Sequence, residues 1–223
     1  AEVVAVDIDK IALAKKQFSS KVQTKNTDVT NEVQTGKLIN DLIDQYGGID
    51  ILISNAGSAF PSPITELKMK DLRKSFEINF FSHFYLAKLV GKLFVEQGTR
   101  GQMLFNISKQ AVNPGRNFGA YGLPKSTLMF LVKQLALELG THGIRVNGVN
   151  ADRIRSGILN EVFILERARA RGLSVKQYMR GNLLQREVEA HHVAKAFLDL
   201  SLSERTTGHV ISVDGGNIEA SLR

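Results

Sequence analysis

The sequence contains no cysteine, and only four of its 223 residues are proline. Without cysteine, disulfide frameworks and thiolate metal sites are excluded. No apolar run approaches the ~18 residues that a bilayer-spanning helix needs, and no charged segment followed by an apolar stretch indicates a secretory leader. No linker rich in Pro, Gly and Ser divides the chain. We therefore expect one cytoplasmic domain over residues 1–223, with no membrane partner.

Positive charge is in moderate excess. The sequence has 29 Lys and Arg residues and 22 Asp and Glu residues, which gives a net charge of +7. Such a balance favours anionic ligands such as nucleotides or phosphorylated metabolites, and it also suits nucleic acid. The basic residues are, however, spread along the chain with acidic residues between them. A generic solvated surface explains that pattern better, so we predict a small-molecule substrate and no nucleic-acid partner.

Short β-branched runs alternate with longer amphipathic stretches. Apolar runs predict strands at 2–8, 50–54, 102–108, 144–149 and 209–213, and helical spacing predicts helices at 31–46, 67–96, 121–139 and 189–200. Strands that are apolar on both faces and alternate with helices form a parallel sheet covered on both sides. The sequence therefore predicts an α/β fold with a doubly wound, Rossmann-like parallel sheet. In that architecture ligands bind beyond the carboxyl ends of the strands.

Tyr121 and Lys125 form a Tyr-x-x-x-Lys pair at the start of a predicted helix, so their side chains share one face. A free tyrosine has a pKa near ~10 and is a poor base at neutral pH, whereas a nearby ammonium favours the phenolate and lowers that pKa. Such a pair could act as a general acid/base on an alcohol or a carbonyl. Alone it is weak evidence, because chance and helix-surface pairs supply many matches.

Two further polar residues support that interpretation. Ser108 ends a predicted strand, where its hydroxyl could hydrogen-bond a substrate oxygen or simply turn the chain. Asn79 lies in a helical pattern between apolar neighbours, so its side chain is expected to face the interior and to need partners. It either satisfies the backbone of a neighbouring element or belongs to a polar relay.

Small and acidic residues follow other strands. Residues 55–57 (Asn-Ala-Gly) come directly after a strand, where they could let a ligand approach the backbone or form a plain turn. Asp28 and Val29 precede a helix, which an aspartate could also cap. Asp7 ends the first strand, where a carboxylate accepts the hydroxyls of an adenosine ribose and repels a 2′-phosphate. A loop aspartate without a ligand is the alternative.

Together these residues resemble the short-chain dehydrogenase/reductase family. The matching signs follow the family's order over nearly the whole chain: Asp7, DVT at 28–30, SNAG at 54–57, Asn79, Ser108, YGLPK at 121–125, IRVN at 144–147 and VDGG at 213–216. Within the family, SKQA at 108–111, NAD at 150–152 and the ending at 213–223 resemble the dehydrogenase half of bifunctional rhamnulose-phosphate aldolase/alcohol dehydrogenases. The segment at 172–187 and the Ser-Lys pair at 108–109 also resemble sorbitol-6-phosphate dehydrogenases.

The resemblance implies hydride transfer between NAD and a small secondary alcohol, polyol, hydroxyaldehyde or sugar phosphate. Tyr121 is the implied acid/base, and Lys125 lowers its pKa and holds the nicotinamide ribose. Ser108 positions the substrate oxygen, and Asn79 completes a water-linked proton path. The implied cofactor contacts are Asp7, Asp28, Val29, Asn55, Ala56, Gly57, Tyr121, Lys125, Asp152 and Ile154, with Asp7 favouring NAD over NADP. The family also implies a homodimer or homotetramer, and no metal is expected.

The start of the sequence departs from the family pattern, which opens with a strand, a Gly-rich turn and a helix that bind pyrophosphate. The sequence begins at what resembles the second strand and contains no such glycine fingerprint. Two explanations stay open. Either a first strand–turn–helix unit of about 25–30 residues is missing from the sequence given, or the sheet has a rearranged edge. The second explanation leaves a catalytically silent Rossmann-like module, with an interaction or sensing role, as the alternative function.

Pro124 is a smaller departure, because it lies inside the Tyr-x-x-x-Lys turn. Proline is tolerated in the first turn of a helix, so we expect this helix to begin only a few residues before it.

Residues 157–186 lie where the family places its substrate lid. The segment contains six basic residues: Arg167, Arg169, Arg171, Lys176, Arg180 and Arg186. Arginines at alternating positions cannot all share one helix face. A solvated helix is therefore preferred here, and at most one or two of these residues could bind a substrate phosphate.

Overall fold

The computed structural model describes residues 1–16 and 18–217, so the last part of the ending noted above, 218–223, lies outside the described residues. The elements are, in chain order, β1 (Val3–Asp7), α1 (Lys10–Lys15), β2 (Val22–Asn26), α2 (Glu32–Tyr46), β3 (Ile51–Ser54), α3 (Met69–Phe76), α4 (Ser82–Gln97), β4 (Gln102–Asn106), α5 (Gly119–Leu139), β5 (Arg145–Ala151), α6 (Glu161–Arg169), α7 (Val175–Met179), α8 (Ala190–Leu202) and β6 (Val210–Val213). Of these helices, none is both long enough and apolar enough to cross a bilayer.

The strands pair in parallel and form two sheets. β1 pairs with β2, and the larger sheet has the order β3-β4-β5-β6. The predicted α/β, Rossmann-like class is confirmed. Within residues 1–16 and 18–217, however, no strand pairs with the free edge of β1 or of β3, so the sheet is interrupted there.

The main core lies between the larger sheet and helices α4 and α5. Met103 and Phe105 of β4 point into it, together with Val90 and Phe94 of α4 and Leu128 of α5. Leu104 alternates to the other face of the sheet, where Phe197 of α8 covers it. Because successive strand residues face opposite sides, helices on both faces are needed to bury a strand this apolar. Each large side chain buried in this way contributes about 1.5–3 kcal/mol.

The smaller sheet is connected to this core through α2. That helix packs against α4, and its Leu38 and Ile39 are buried, while Tyr85 of α4 hydrogen-bonds the Glu32 carboxylate. Strand β2 (VQTKN) was not predicted, because its polar and largely exposed residues carry no apolar pattern. The helix predicted over 67–96 consists of α3, a π-helical turn at Glu77–Phe81 and α4.

The segment at 157–186 forms helices α6 and α7. They pack around a small apolar cluster of their own, which comprises Ile164, Ala168, Tyr178 and Met179. Arg155, just before the segment, pairs with Glu161 at the start of α6 and with Glu187 beyond α7. Both ends of the segment are therefore tied to one side chain, which holds α6 and α7 over the carboxyl end of the larger sheet.

Candidate active site

The predicted site residues follow the carboxyl ends of strands. Asp7 ends β1, residues 55–57 follow β3, Ser108 follows β4, and Asp152 follows β5. The strands of each sheet are parallel, so their carboxyl ends lie at one edge. Gly57 lies close to two other predicted site residues. A Cβ built on it would lie 3.2 Å from Asn79 Oδ1 and 3.9 Å from Lys125 Nζ.

Tyr121 lies in the first turn of α5 and is buried against the edge of the Phe118 ring, with ring centroids 6.1 Å apart. Burial raises the pKa of Tyr121 to about 12, and the nearby Ser108 hydroxyl acts in the opposite direction. Ser108 and Tyr121 are therefore neighbours in the structure. At neutral pH the phenol is protonated, and it can donate that proton to an oxygen held beside Ser108.

Lys125 is one helical turn further along α5, and its side chain is only 2% exposed. Its Nζ donates to the carbonyl oxygen of Asn106 at 2.8 Å and lies 5.8 Å from the centroid of the Tyr121 ring. Burial lowers the pKa of Lys125 to about 7. The lowering of the Tyr121 pKa by this amine stays a prediction, because in this structure burial dominates the pKa of both groups.

Asn79 occupies the π-helical turn between α3 and α4, and π-turns inside helices are frequent at functional sites. Its Oδ1 accepts from the Ser58 N–H at 3.1 Å, and its Nδ2 donates to the Ser58 carbonyl at 2.8 Å and to Ser75. Of the two roles that the sequence left open, the structure shows the first: Asn79 fixes the backbone of the loop after β3. Its part in a proton path stays a prediction.

Pro124 is the sixth residue of α5, just beyond the first turn. Because proline has no N–H, the carbonyl of Ala120 loses its usual donor four residues later. The buried hydroxyl of Ser75 replaces that donor, and Ser75 Oγ lies 2.7 Å from the Ala120 carbonyl oxygen. Ser75 also accepts from Asn79 Nδ2 at 3.0 Å, so one chain of hydrogen bonds joins the loop after β3 to the turn that carries Tyr121.

His83 is a residue that the sequence analysis missed. It is fully buried in α4, with Nδ1 2.6 Å from Ser54 Oγ, and its Nε2 has no hydrogen-bond partner among the described residues. Burial lowers the pKa of His83 well below its ordinary value, and the charge of Lys125 acts in the same direction. Its position could have identified it as a site residue, because His83 follows Asn79 by one helical turn and faces the SNAG segment.

The predicted adenosine contacts lie in and after the smaller sheet. Asp7 is exposed, and its Oδ1 accepts from the Asp9 N–H at 2.8 Å. Asp28 accepts from the N–H and hydroxyl of Thr30, which makes a turn. The expectation that Asp28 could cap the next helix is wrong, because Asn31 is the N-cap of α2 and its side chain accepts from the Gln34 N–H. Val29 packs against the main core.

The predicted contacts after β5 have different surroundings. The buried carboxylate of Asp152 lies 3.3 Å from Lys109 Nζ and 3.4 Å from Arg153 Nε, and it accepts from Asn217. Ile154 packs against the cluster beneath α8. Asp152 is therefore engaged by cations in this structure, and its role toward a cofactor, like that of Ile154, stays a prediction.

The residues fit one end of a dinucleotide. Gly57 borders the buried Lys125 amine, and a Cβ there would already be in tight contact with Asn79, so only a flat or small group fits against this backbone. The sequence offers no Gly-rich turn for the pyrophosphate. Across residues 1–16 and 18–217, no group of three or more His, Asp or Glu side chains is placed to hold a metal ion.

Comparison with known proteins agrees with this geometry. A family model described as enoyl-(acyl carrier protein) reductase matches residues 1–217. An uncharacterised oxidoreductase of Bacillus subtilis, YuxG, is 34% identical over 197 residues, which are 85% of this chain but only 29% of that protein. The 7α-hydroxysteroid dehydrogenase of Escherichia coli K12 is 30% identical over 195 residues, which cover 86% of this chain and 72% of the enzyme.

Solved structures show the same fold. Sorbitol-6-phosphate 2-dehydrogenase SrlD from Erwinia amylovora superposes with a TM-score of 0.85 at 21% identity, covering 96% of this chain and 89% of that one. A 7α-hydroxysteroid dehydrogenase complexed with NADH and a 7-oxo bile acid has a TM-score of 0.81 at 28% identity, covering 98% and 85%. ElxO with bound NADP has a TM-score of 0.82 at 23% identity, covering 96% and 87%. The chain belongs to the short-chain dehydrogenase/reductase family.

Proposed function

We propose that this chain catalyses hydride transfer between NAD and a small secondary alcohol, polyol, hydroxyaldehyde or sugar phosphate, or the corresponding carbonyl. The observation that carries the proposal is the meeting of the Tyr121 phenol, the Ser108 hydroxyl and the buried Lys125 amine beside Gly57. The membership of the family supports it. The resemblance to the dehydrogenase half of the bifunctional enzymes is also part of the proposal, and the match to 29% of a longer Bacillus protein supports it.

The catalytic roles follow from the positions of the side chains. Ser108 holds the substrate oxygen by a hydrogen bond, and Tyr121 gives a proton to that oxygen in carbonyl reduction or takes one from it in alcohol oxidation. Lys125 holds the nicotinamide ribose and favours the phenolate when the amine is charged. When bound, the nicotinamide would supply the hydride chemistry.

For the cofactor, the proposed contacts are residues 55–57 along the cofactor groove and Asp28 and Val29 beside the adenine. Asp7 accepts from the adenosine ribose, and its negative charge favours NAD over NADP, since a 2′-phosphate would be repelled. The exposure of Asp7 supports this role. Asp152 and Ile154 complete the proposed set near the nicotinamide.

Assembly and location are also proposals. The long helix α5 exposes apolar side chains, with Phe130 at 66% and Leu137 at 75% exposure, and Phe81 of the π-helical turn and Phe84 of α4 are also exposed. Contiguous apolar side chains of this kind favour burial between subunits. We propose a homodimer or homotetramer in the cytoplasm, acting on a small molecule and not on nucleic acid or membranes.

The test is NADH formation over a panel of polyols, hydroxyaldehydes and sugar phosphates, with Tyr121→Phe as the decisive variant. Loss of the acid/base should lower kcat by about 10²–10⁴-fold. Because the pKa of Tyr121 is about 12, alcohol oxidation should rise with pH above neutrality, and carbonyl reduction should not. Turnover that survives Tyr121→Phe would reject the mechanism.

The second candidate is a catalytically silent Rossmann-like module with an interaction or sensing role. The observation that favours it is that, within residues 1–16 and 18–217, no strand pairs with the free edge of β1 or of β3. Calorimetric titration of NAD and NADP separates the two functions. Strong binding of NAD by this chain supports the dehydrogenase, and binding of neither nucleotide supports the silent module.

A further inference from the structure

Four basic side chains lie together beside the proposed catalytic residues. Lys109 follows Ser108 in the turn after β4, Arg153 follows β5, and Arg167 and Arg171 come from α6 and the turn after it. Among the described residues, Asp152 is the one carboxylate that forms an ion pair with any of them. Four cations against one carboxylate leave an excess of three positive charges at the edge of the proposed active site.

Arg167 connects this cluster to the catalytic phenol. Its guanidinium lies 4.6 Å from the centroid of the Phe118 ring and 5.6 Å from that of Phe163. Phe118 in turn packs edge-on against Tyr121. One aromatic ring therefore separates the guanidinium from the phenol. The expectation of a solvated helix face is wrong for Arg167, because its side chain is half-buried and stacked, and Nε also donates to the Tyr178 hydroxyl at 3.2 Å.

The other three cations are held in place by neutral groups or share one acid. Arg153 has a left-handed backbone (φ 53°), and its Nη1 donates to the carbonyls of Tyr178 and Gly181. Arg171 donates to the carbonyl of Arg167 at 3.1 Å, and its pKa is lowered by burial and by the nearby charges of Arg167 and Arg153. Holding like charges close together costs free energy, and an anionic ligand would offset that cost.

We infer that this cluster binds the phosphate group of a phosphorylated polyol or hydroxyaldehyde whose alcohol carbon lies at Ser108 and Tyr121. The inference rests on the proposed dehydrogenase function and names the substrate class of the same site. A phosphate monoester carries nearly two negative charges, which match the excess better than the single charge of a carboxylate. Planar guanidinium groups also bind phosphate in a bidentate manner, so Arg167 and Arg171 are the specificity residues.

Arg169 offers a matched control on the same helix. It is exposed, and its side chain forms no hydrogen bond, ion pair or ring contact with the other described residues. Replacing it by Met removes one positive charge from α6 and leaves the stacked guanidinium untouched. A general effect of net charge would therefore appear equally in Arg169→Met and Arg167→Met, whereas a built phosphate site would respond to Arg167→Met alone.

The first experiment is calorimetric titration of inorganic phosphate into the chain without cofactor. We expect binding by the wild type that weakens by about ten- to a hundredfold in Arg167→Met and Arg171→Met, as loss of a charged hydrogen bond predicts, and by less than twofold in Arg169→Met. Arg171 is exposed, so replacing it should not disturb the folding of α6 and α7. A loss of binding in Arg171→Met would therefore not be due to misfolding of this segment. Equal losses in all three variants, equal binding of acetate, or displacement of phosphate by NAD would each overturn the inference.

The second experiment compares turnover of sorbitol 6-phosphate with that of sorbitol. Arg167→Met should lower the ratio of the two kcat/KM values by about ten- to a hundredfold, whereas Arg169→Met should change that ratio by less than threefold. Equal loss on both substrates would contradict a phosphate site while leaving the dehydrogenase in place. No turnover of any alcohol by the wild type would reject the proposed function. The phosphate titration alone would then test whether the cluster binds phosphate.

Discussion

The buried amine of Lys125 should make the folding stability of this chain depend on pH in a defined direction. Burial lowers the pKa of Lys125 from 10.5 to about 7 in the folded state. Between these two values the unfolded chain binds a proton that the folded chain does not, so the free energy of unfolding rises with pH in this window. At about 1.4 kcal/mol per pKa unit, the folded state is penalised by about 5 kcal/mol at low pH, and the penalty vanishes above pH 10.5.

Lys125→Met removes this dependence. The variant also loses the hydrogen bond to the Asn106 carbonyl, at a cost of about 1 kcal/mol that does not vary with pH. From pH 6 to pH 9 the penalty in the wild type falls by about 3 kcal/mol on the linkage relation. We therefore expect the unfolding free energy of the variant relative to the wild type to decrease by about that amount over the same range.

The assay is urea unfolding followed by circular dichroism at pH 6, 7, 8 and 9. Lys133→Met is the matched control, because Lys133 is exposed on the same helix α5 and its removal should shift the unfolding free energy equally at every pH. The highest pH of the assay is 9, because Tyr121 is still protonated in the folded state at that pH. Parallel pH profiles for the wild type and Lys125→Met would refute the reasoning, since they would mean that the amine is solvated in the folded state.

Two further predictions concern the groups around this amine. Gly57→Val adds methyl groups where a Cβ alone would already lie 3.2 Å from Asn79 Oδ1. NAD affinity measured by calorimetry should therefore fall at least about tenfold, and the protein should lose about 1–3 kcal/mol of stability. Unchanged affinity would show that no ligand passes this backbone. Ser75→Ala leaves the Ala120 carbonyl unpaired and should cost about 1–3 kcal/mol. Adding Pro124→Ala restores the helical donor and should recover part of that loss in chemical unfolding, whereas additive losses would contradict the pairing.

The sequence predicted the elements that have a strong apolar pattern and the residues that follow them. Strands β3 to β6 and helices α2, α5 and α8 were predicted within a few residues of their bounds, because each buries an apolar face. Tyr121, Ser108 and Lys125 were brought together by that topology. Strand β2 and helix α1 were missed, because exposed polar residues give no periodic signal and only pairing with β1 makes β2 a strand.

The contacts of polar side chains were less predictable, because they join segments far apart in the chain. Asn79 was expected to need partners, but their identity depends on where the loop after β3 passes. Arg167 was placed on a solvated face, because spacing along one helix says nothing about Phe118 from another segment. Long-range packing, and not local propensity, decides such contacts.

The protonation state of the catalytic pair shows most clearly where sequence reasoning ends. The spacing of Tyr121 and Lys125 predicts their proximity, and proximity alone predicts a phenolate beside an ammonium. Burial reverses that balance, because a pKa of about 12 for the phenol and of about 7 for the amine leave both groups neutral at pH 8. For the proposed alcohol oxidation, we expect a bound cofactor and substrate to stabilise the phenolate beside the ammonium. The depth of burial, which the spacing of the motif does not predict, is the reason for that expectation.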